Sequence, residues 1–145
     1  MTRLQCFLAC VPPTVTHHSK RIVRVRQFAR LADTDALVGA KAMLDELLLP
    51  HQPETPIAAP VRLTVTFTWP WRTSTSQRVR SAGRAPKTTK PDLDNLCKVL
   101  TDRLAALRFI PAEDGVVAEL HARKFWGEAP GIAVVLETVG AGAPS

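Results

Sequence analysis

Residues 90–104 read KPDLDNLCKVLTDRL, with Asp92 and Asp94 one residue apart directly after Pro91 and a lysine, Lys98, four residues past the second aspartate. Leu93, Leu96, Leu100, Leu104 and Leu107 fall on one narrow stripe at 100° per residue, so the segment predicts an amphipathic helix. Asp94, Lys98 and Asp102 lie well away from that stripe. Pro91 with Asp92 or Asp94 is an ordinary helix start, because proline fits the first turn and a carboxylate complements the positive end of the helix. Capping needs only one carboxylate, however. If the chain enters the helix extended, residues i and i+2 project to the same side, where two like charges repel unless a cation sits between them.

The residues after this helix bear on that choice. PAEDGVV, residues 111–117, offers Glu113 and Asp114 at the start of a predicted strand, where the chain turns back along the helix. Upstream, no acidic residue occurs between Glu54 and Asp92, while that interval carries Arg62, Arg72, Arg78, Arg80, Arg84, Lys87 and Lys90. At its centre RTSTSQRVRSAGRAPKTTK has too little apolar surface and too much like charge to order itself, so a mobile basic loop is expected at about 72–90. KRIVRVRQFAR, residues 20–30, is a second basic cluster. With a net charge of +6, two such clusters favour a polyanionic partner such as nucleic acid over two solvated faces. Hard Mg²⁺ takes oxygen ligands and shares them with substrate phosphates, so carboxylates between basic segments fit metal-dependent phosphodiester chemistry. Helix capping remains open at this point.

The other elements predict one α/β domain over 1–139, with GAGAPS at 140–145 as a flexible tail. RLQCFLACVP at 3–12 reads as a first strand, and KRIVRVRQFA as an extended arm or short strand. A helix follows, capped by Asp33 or Thr34, with Ala36, Leu37, Ala40, Met43, Leu44, Leu47 and Leu48 at helical spacing before Pro50. VRLTVTFTW at 61–69 alternates as a strand with one buried face. After the Asp-bearing helix, GVVAELHARKFW and GIAVVLETV flank the turn-like GEAPG and predict a terminal hairpin. The order is β-α-β-α-β-β, a mixed sheet with two main helices packed on it.

At 145 residues and 46% hydrophobic, the chain is long enough for a core of its own. No apolar run approaches the roughly 20 residues that a membrane-spanning helix needs, and the N-terminus lacks an export signal. Its three cysteines, Cys6, Cys10 and Cys97, fit reduced thiols. A cytoplasmic protein without a membrane partner is expected. Cys6 and Cys10 with His17 and His18 match no standard zinc spacing. Trp69, Trp71, Phe125 and Trp126 lie at strand ends, where packing or dimerisation outweighs base stacking.

PDLDNLCKVLTDRL followed by FIPAEDGVVAELHARK (residues 109–124) resembles the RusA-type Holliday-junction resolvases. Their hallmark is an Asp-x-Asp-Asn segment, a lysine four residues after the second aspartate, and a downstream acidic pair. The resemblance is strongest over residues 91–124, and VPPTVTHHSKRI at 11–22 is similar to the family's proline-containing N-terminal segment. It implies a small α/β homodimer that cuts four-way DNA junctions with Mg²⁺. Carried over by position, it makes Asp92, Asp94 and Asp114 the metal ligands and Lys98 the catalytic lysine. The family's acidic pair is usually Asp-Asp, and here it is Glu113-Asp114, reached by an approach one residue longer. Within this reading Arg84, Lys87, Lys90 and Lys124 are the candidate DNA contacts, and Asp102 is a solvated or ion-paired residue. A non-catalytic branched-DNA-binding protein and a nuclease for other branched DNA are the alternatives. Two symmetric cuts require two chains, and some of the apolar surface of Val116, Val117, Leu120, Trp126, Ile132, Val134 and Leu136 is expected at the subunit interface.

Overall fold

The alternation of Val61, Leu63, Val65, Phe67 and Trp69 with Arg62, Thr64, Thr66 and Thr68 makes Val61–Pro70 a strand buried on one face. In the computed structural model of the chain it is the middle of the main sheet. The structure describes residues 2–14, 20–25 and 28–140; for residues 20, 25, 28–32 and 114 it describes the backbone alone. His17 and His18 and the tail beyond 140 lie outside the described residues. The strands are β1 (Arg3–Leu8), β2 (Lys20–Val25), β3 (Phe28–Asp33), β4 (Val61–Pro70), β5 (Arg84–Pro86), β6 (Val117–Gly127) and β7 (Gly131–Thr138). The helices are α1 (Asp35–Leu48), the single turn α2 (Gln77–Arg80) and α3 (Leu93–Ala106). Among the described residues no helix is long and apolar enough to cross a membrane.

The five-stranded mixed sheet has the order β1-β7-β4-β6-β5, and β2 and β3 form a separate antiparallel ribbon. The expected β-α-β-α-β-β order is kept, with the ribbon, α2 and β5 as additions. The basic interval thus contains a short helix and an edge strand, because it borrows order from the strand beside it: β5 pairs with β6 through Arg84↔Gly127, Ala85↔Trp126 and Pro86↔Phe125.

The terminal hairpin does not form. β4 lies between β6 and β7, parallel to the first and antiparallel to the second. Glu128, Ala129 and Pro130 form a link long enough to cross two strand spacings, about 10 Å, over the end of β4. There Trp71 Nε1 donates to Glu128 Oε2 at 3.1 Å. A turn-like sequence between two alternating runs is compatible with either arrangement. The central strand, by pairing on both edges, decides it.

Helix α1 is capped by Thr34, whose hydroxyl accepts the Leu37 N–H at 3.2 Å. Asp33, the other candidate cap, instead forms an ion pair with Lys41 at 2.6 Å. Along α3 the leucine stripe is buried as predicted, with Leu96, Leu100 and Leu104 at 3% exposure or less. Each such burial stabilises the fold by about 1.5–3 kcal/mol. Past α3, Arg108 turns through a left-handed φ of 64°, and the fully buried Phe109 and Ile110 drive the chain through it.

Ile132, Val134 and Leu136 point to the same side and are fully buried, so they cannot supply the subunit surface expected of them. Of that group Leu120 is exposed, while Val116, Val117 and Trp126 are half-buried against the core. The sheet's other face is polar. On it Arg62 bridges Glu119 and Glu137, at 3.1 and 3.3 Å, across three strands.

Close approach constrains Gly131. A Cβ on Gly131 would run into the Phe7 ring and lie 2.8 Å from the Leu8 carbonyl oxygen, whereas one on Gly39, in α1, would meet nothing within 4 Å. Gly131→Ala is therefore expected to destabilise the protein by about 1–3 kcal/mol. Gly39→Ala should stabilise it by about 0.4–1 kcal/mol. Urea unfolding of the two variants checks both signs.

Candidate active site at the start of α3

The path from β5 into α3 is irregular, and side chains organise it. Lys87 lies on the helix-covered side of the sheet, 7% exposed, with its Nζ 4.0 Å from the Trp126 ring centroid and 5.1 Å from that of Trp69. The same Nζ donates to Thr89 Oγ1 at 2.6 Å. Burial, and then the charges of Lys124 and Arg72, hold the Lys87 ammonium below the ordinary lysine range. Arg72 covers Trp126 at 4.5 Å. Lys124 reaches back from β6, donating to the carbonyl oxygens of Thr89 and Pro91 at 2.7 Å each. Two candidate DNA contacts, Lys87 and Lys124, thus have their ammonium groups engaged within the chain. The other two face outward: Lys90 is exposed, and the exposed Arg84 stacks its guanidinium 4.1 Å over the Phe125 ring. The aromatic residues pack, as expected of them. Trp69 is in the core, and Trp126 and Phe125 are covered by cations.

Asp92 occupies the N-cap position of α3 in extended conformation, and its carbonyl accepts the Leu96 N–H at 3.1 Å, yet its side chain makes no capping bond. The ordinary reason for an aspartate at this position therefore does not account for its carboxylate. Asp94, exposed in the first turn, accepts the Asn95 N–H on Oδ1 at 3.0 Å. It also lies near Cys97, whose thiol is pushed up to about 11 by burial and then by the Asp94 charge. One turn on, Lys98 pairs with Asp102 at 3.2 Å, the ion pair anticipated for Asp102. Lys98, Asp102, Ala105, Ala106, Ala112 and Glu113 line one open concavity of about 400 Å³.

The structure therefore sets Asp92 and Asp94 at the helix start and places Glu113 opposite Lys98. Asp114 follows Glu113 and opens the 3₁₀ turn Asp114–Val116, and its side chain lies outside the described residues. Among the described residues no three histidine, cysteine, aspartate or glutamate side chains converge as a metal-holding group. The donor chemistry at the helix start nonetheless fits a hard divalent cation, since both groups are carboxylates and that of Asp92 is not spent on capping.

The family described as Endodeoxyribonuclease RusA matches residues 11–137, nearly the whole chain and all of this site. The chain belongs to the RusA endodeoxyribonuclease family. A relative in Bacillus subtilis (strain 168), the uncharacterized protein YqaN, is 36% identical over 96 residues, or 63% of this chain. The chain covers 66% of that protein's length. The sequence names Lys124 only as a DNA contact, and the feature that this reading missed is that its side chain faces inward. Its signal was present: in the strand alternation Lys124 shares a side with Leu120, Ala122 and Trp126, an unusual place for a charge.

Proposed function

We propose that this protein is a Mg²⁺-dependent, structure-selective DNA endonuclease that resolves four-way junctions by paired symmetric nicks. The observation that carries the reading is the Asp92-x-Asp94 pair at the start of α3, with an N-cap carboxylate that does no capping. Family membership and the basic stretch leading into the helix support it. A cytoplasmic setting agrees with the free thiols Cys6, Cys10 and Cys97.

In this reading Asp92, Asp94 and Asp114 hold the cation. When bound, Mg²⁺ supplies acidification of water and neutralisation of charge at the phosphate. Lys98 presents a fixed positive charge toward the scissile phosphate, where negative charge builds in the transition state. Asp102 keeps the Lys98 side chain along the helix face through their 3.2 Å pair. Arg84 and Lys90, exposed just upstream, contact the flanking phosphates and set the position of the strand. Glu113, across the concavity from Lys98, adjusts the charge around the site rather than replacing Asp114.

Two cuts in opposite strands require two such sites. A four-way junction has approximate two-fold symmetry, so a C2 homodimer presents one site to each of two strands. Light scattering at micromolar concentration without DNA is expected to give twice the mass of the chain. A monomer in solution and on the junction would remove the dimer.

The decisive experiment uses a mobile four-way junction, with and without Mg²⁺, mapped to nucleotide resolution. Asp94→Asn should lower the cleavage rate about 100-fold or more while junction binding in EDTA is kept or tightened, because a ligand and a phosphate-repelling charge leave together. Nicking by Asp94→Asn at the wild-type rate would sink the reading, and wild type that binds the junction without nicking it would make the protein a binder only. For the basic approach, the double variant Arg84→Ala with Lys90→Ala should weaken binding to every DNA tested. It should also make the slope of log K against log salt shallower by roughly 2, about one per lost phosphate contact. An unchanged slope counts against both residues as phosphate contacts.

A further inference from the structure

Backbone that belongs to no helix or strand still has carbonyls to satisfy, and between β5 and α3 no ladder takes them. Thr89 and Pro91 give theirs to one side chain, Lys124. The position of Lys124 is itself fixed, because β6 pairs with β4 at Phe67↔Lys124 and the Lys124 carbonyl accepts the Lys87 N–H at 3.0 Å. Thr89 is held at its other end by the Lys87 ammonium on its hydroxyl. The next residue after Pro91 is Asp92. Its side chain has no capping bond to fix it, so its place follows from the backbone that Lys124 grips. The repulsion between Asp92 and Asp94 also has to be offset before any cation arrives. An ammonium group within a residue of the pair supplies several donors and a positive charge together, which no neutral donor does.

We infer that Lys124 is a positioning residue for the Asp92–Asp94 pair, holding the entry to α3 so that both carboxylates are presented together to a divalent cation. This rests on the nuclease reading of the site. It separates Lys124 from the phosphate contacts, since its ammonium is turned into the chain.

The test compares full-length wild type with Lys124→Met and Lys124→Arg. Mn²⁺ alone, without DNA, is titrated by the electron paramagnetic resonance signal of the free ion. Amide hydrogen exchange is followed over residues 89–96, junction binding is measured in EDTA, and kcat and KM are measured for Mg²⁺-dependent cleavage. Lys124→Met should weaken Mn²⁺ binding about tenfold or more, in the range of lost outer-sphere support. It should also speed exchange over residues 89–96 and lower kcat, while KM and junction affinity in EDTA stay within about twofold. Lys124→Arg, which keeps charge and donors, should recover most of the Mn²⁺ affinity.

Unchanged Mn²⁺ binding in Lys124→Met overturns the inference. So does a loss of junction affinity in EDTA with a shallower salt slope, the signature of a phosphate contact. If Lys124→Met does not fold, Lys124→Gln, which keeps a donor and drops the charge, is read by the same criteria. Failure of the nuclease reading shows in the wild type, as no Mn²⁺ bound and no nicking, and takes this inference with it. A wild type that does both, matched by the variant, defeats the inference alone.

Discussion

Two strands that run the same way cannot be joined by a tight turn, and β4 and β6 run the same way. The chain between them must leave the sheet, cross it and come back to where β4 began. The residues proposed for the chemistry lie in that excursion or at its return: the basic stretch, α3 with Asp92, Asp94 and Lys98, and the acidic turn before β6. The leucine stripe of α3 lays the helix against the sheet with its polar side outward. Because β6 then returns along α3, one strand carries Asp114 just before its start and Lys124 near its end. Parallel pairing at the sheet centre thus brings both ends of the helix within reach of one neighbouring strand.

The four candidate DNA contacts divide into two groups by where the sheet sends them. Lys87 and Lys124 alternate onto the helix-covered side, where aromatic rings and main-chain carbonyls take their charge. Arg84 and Lys90 remain outside. Clustered positive charge on a sequence is therefore not equivalent to a positive surface. Part of this cluster organises the path into the helix, and only part is displayed.

Periodicity made much of the fold legible. The alternation of β4 and the leucine stripe of α3 each leave one arrangement that buries their apolar residues, and both are found. Pairing was less legible. GEAPG satisfies the local requirements of a turn, and nothing in those residues states that β4 would lie between the strands they join. The same limit applied to β5, whose few residues have no pattern of their own and are a strand only because β6 offers an edge. Around the candidate site, the placement of Asp92, Asp94 and Lys98 on α3 was legible because their spacing along one helix fixes their relations. The pairing of Lys124 was not, because its partners are main-chain carbonyls, which carry no residue signature, more than thirty residues earlier in the chain.

A strand that spans the site also dictates where its length can vary. Side chains on β6 alternate between faces, so one residue inserted between Val117 and Lys124 would turn the lysine to the opposite side of the sheet, away from Thr89 and Pro91. Residues 111–113 are outside every ladder, and a residue gained there shifts a turn without reversing a face. Chain length can therefore vary in the link before Asp114 at little cost, while the count of residues along β6 acts as a ruler that keeps Lys124 against the entry to α3.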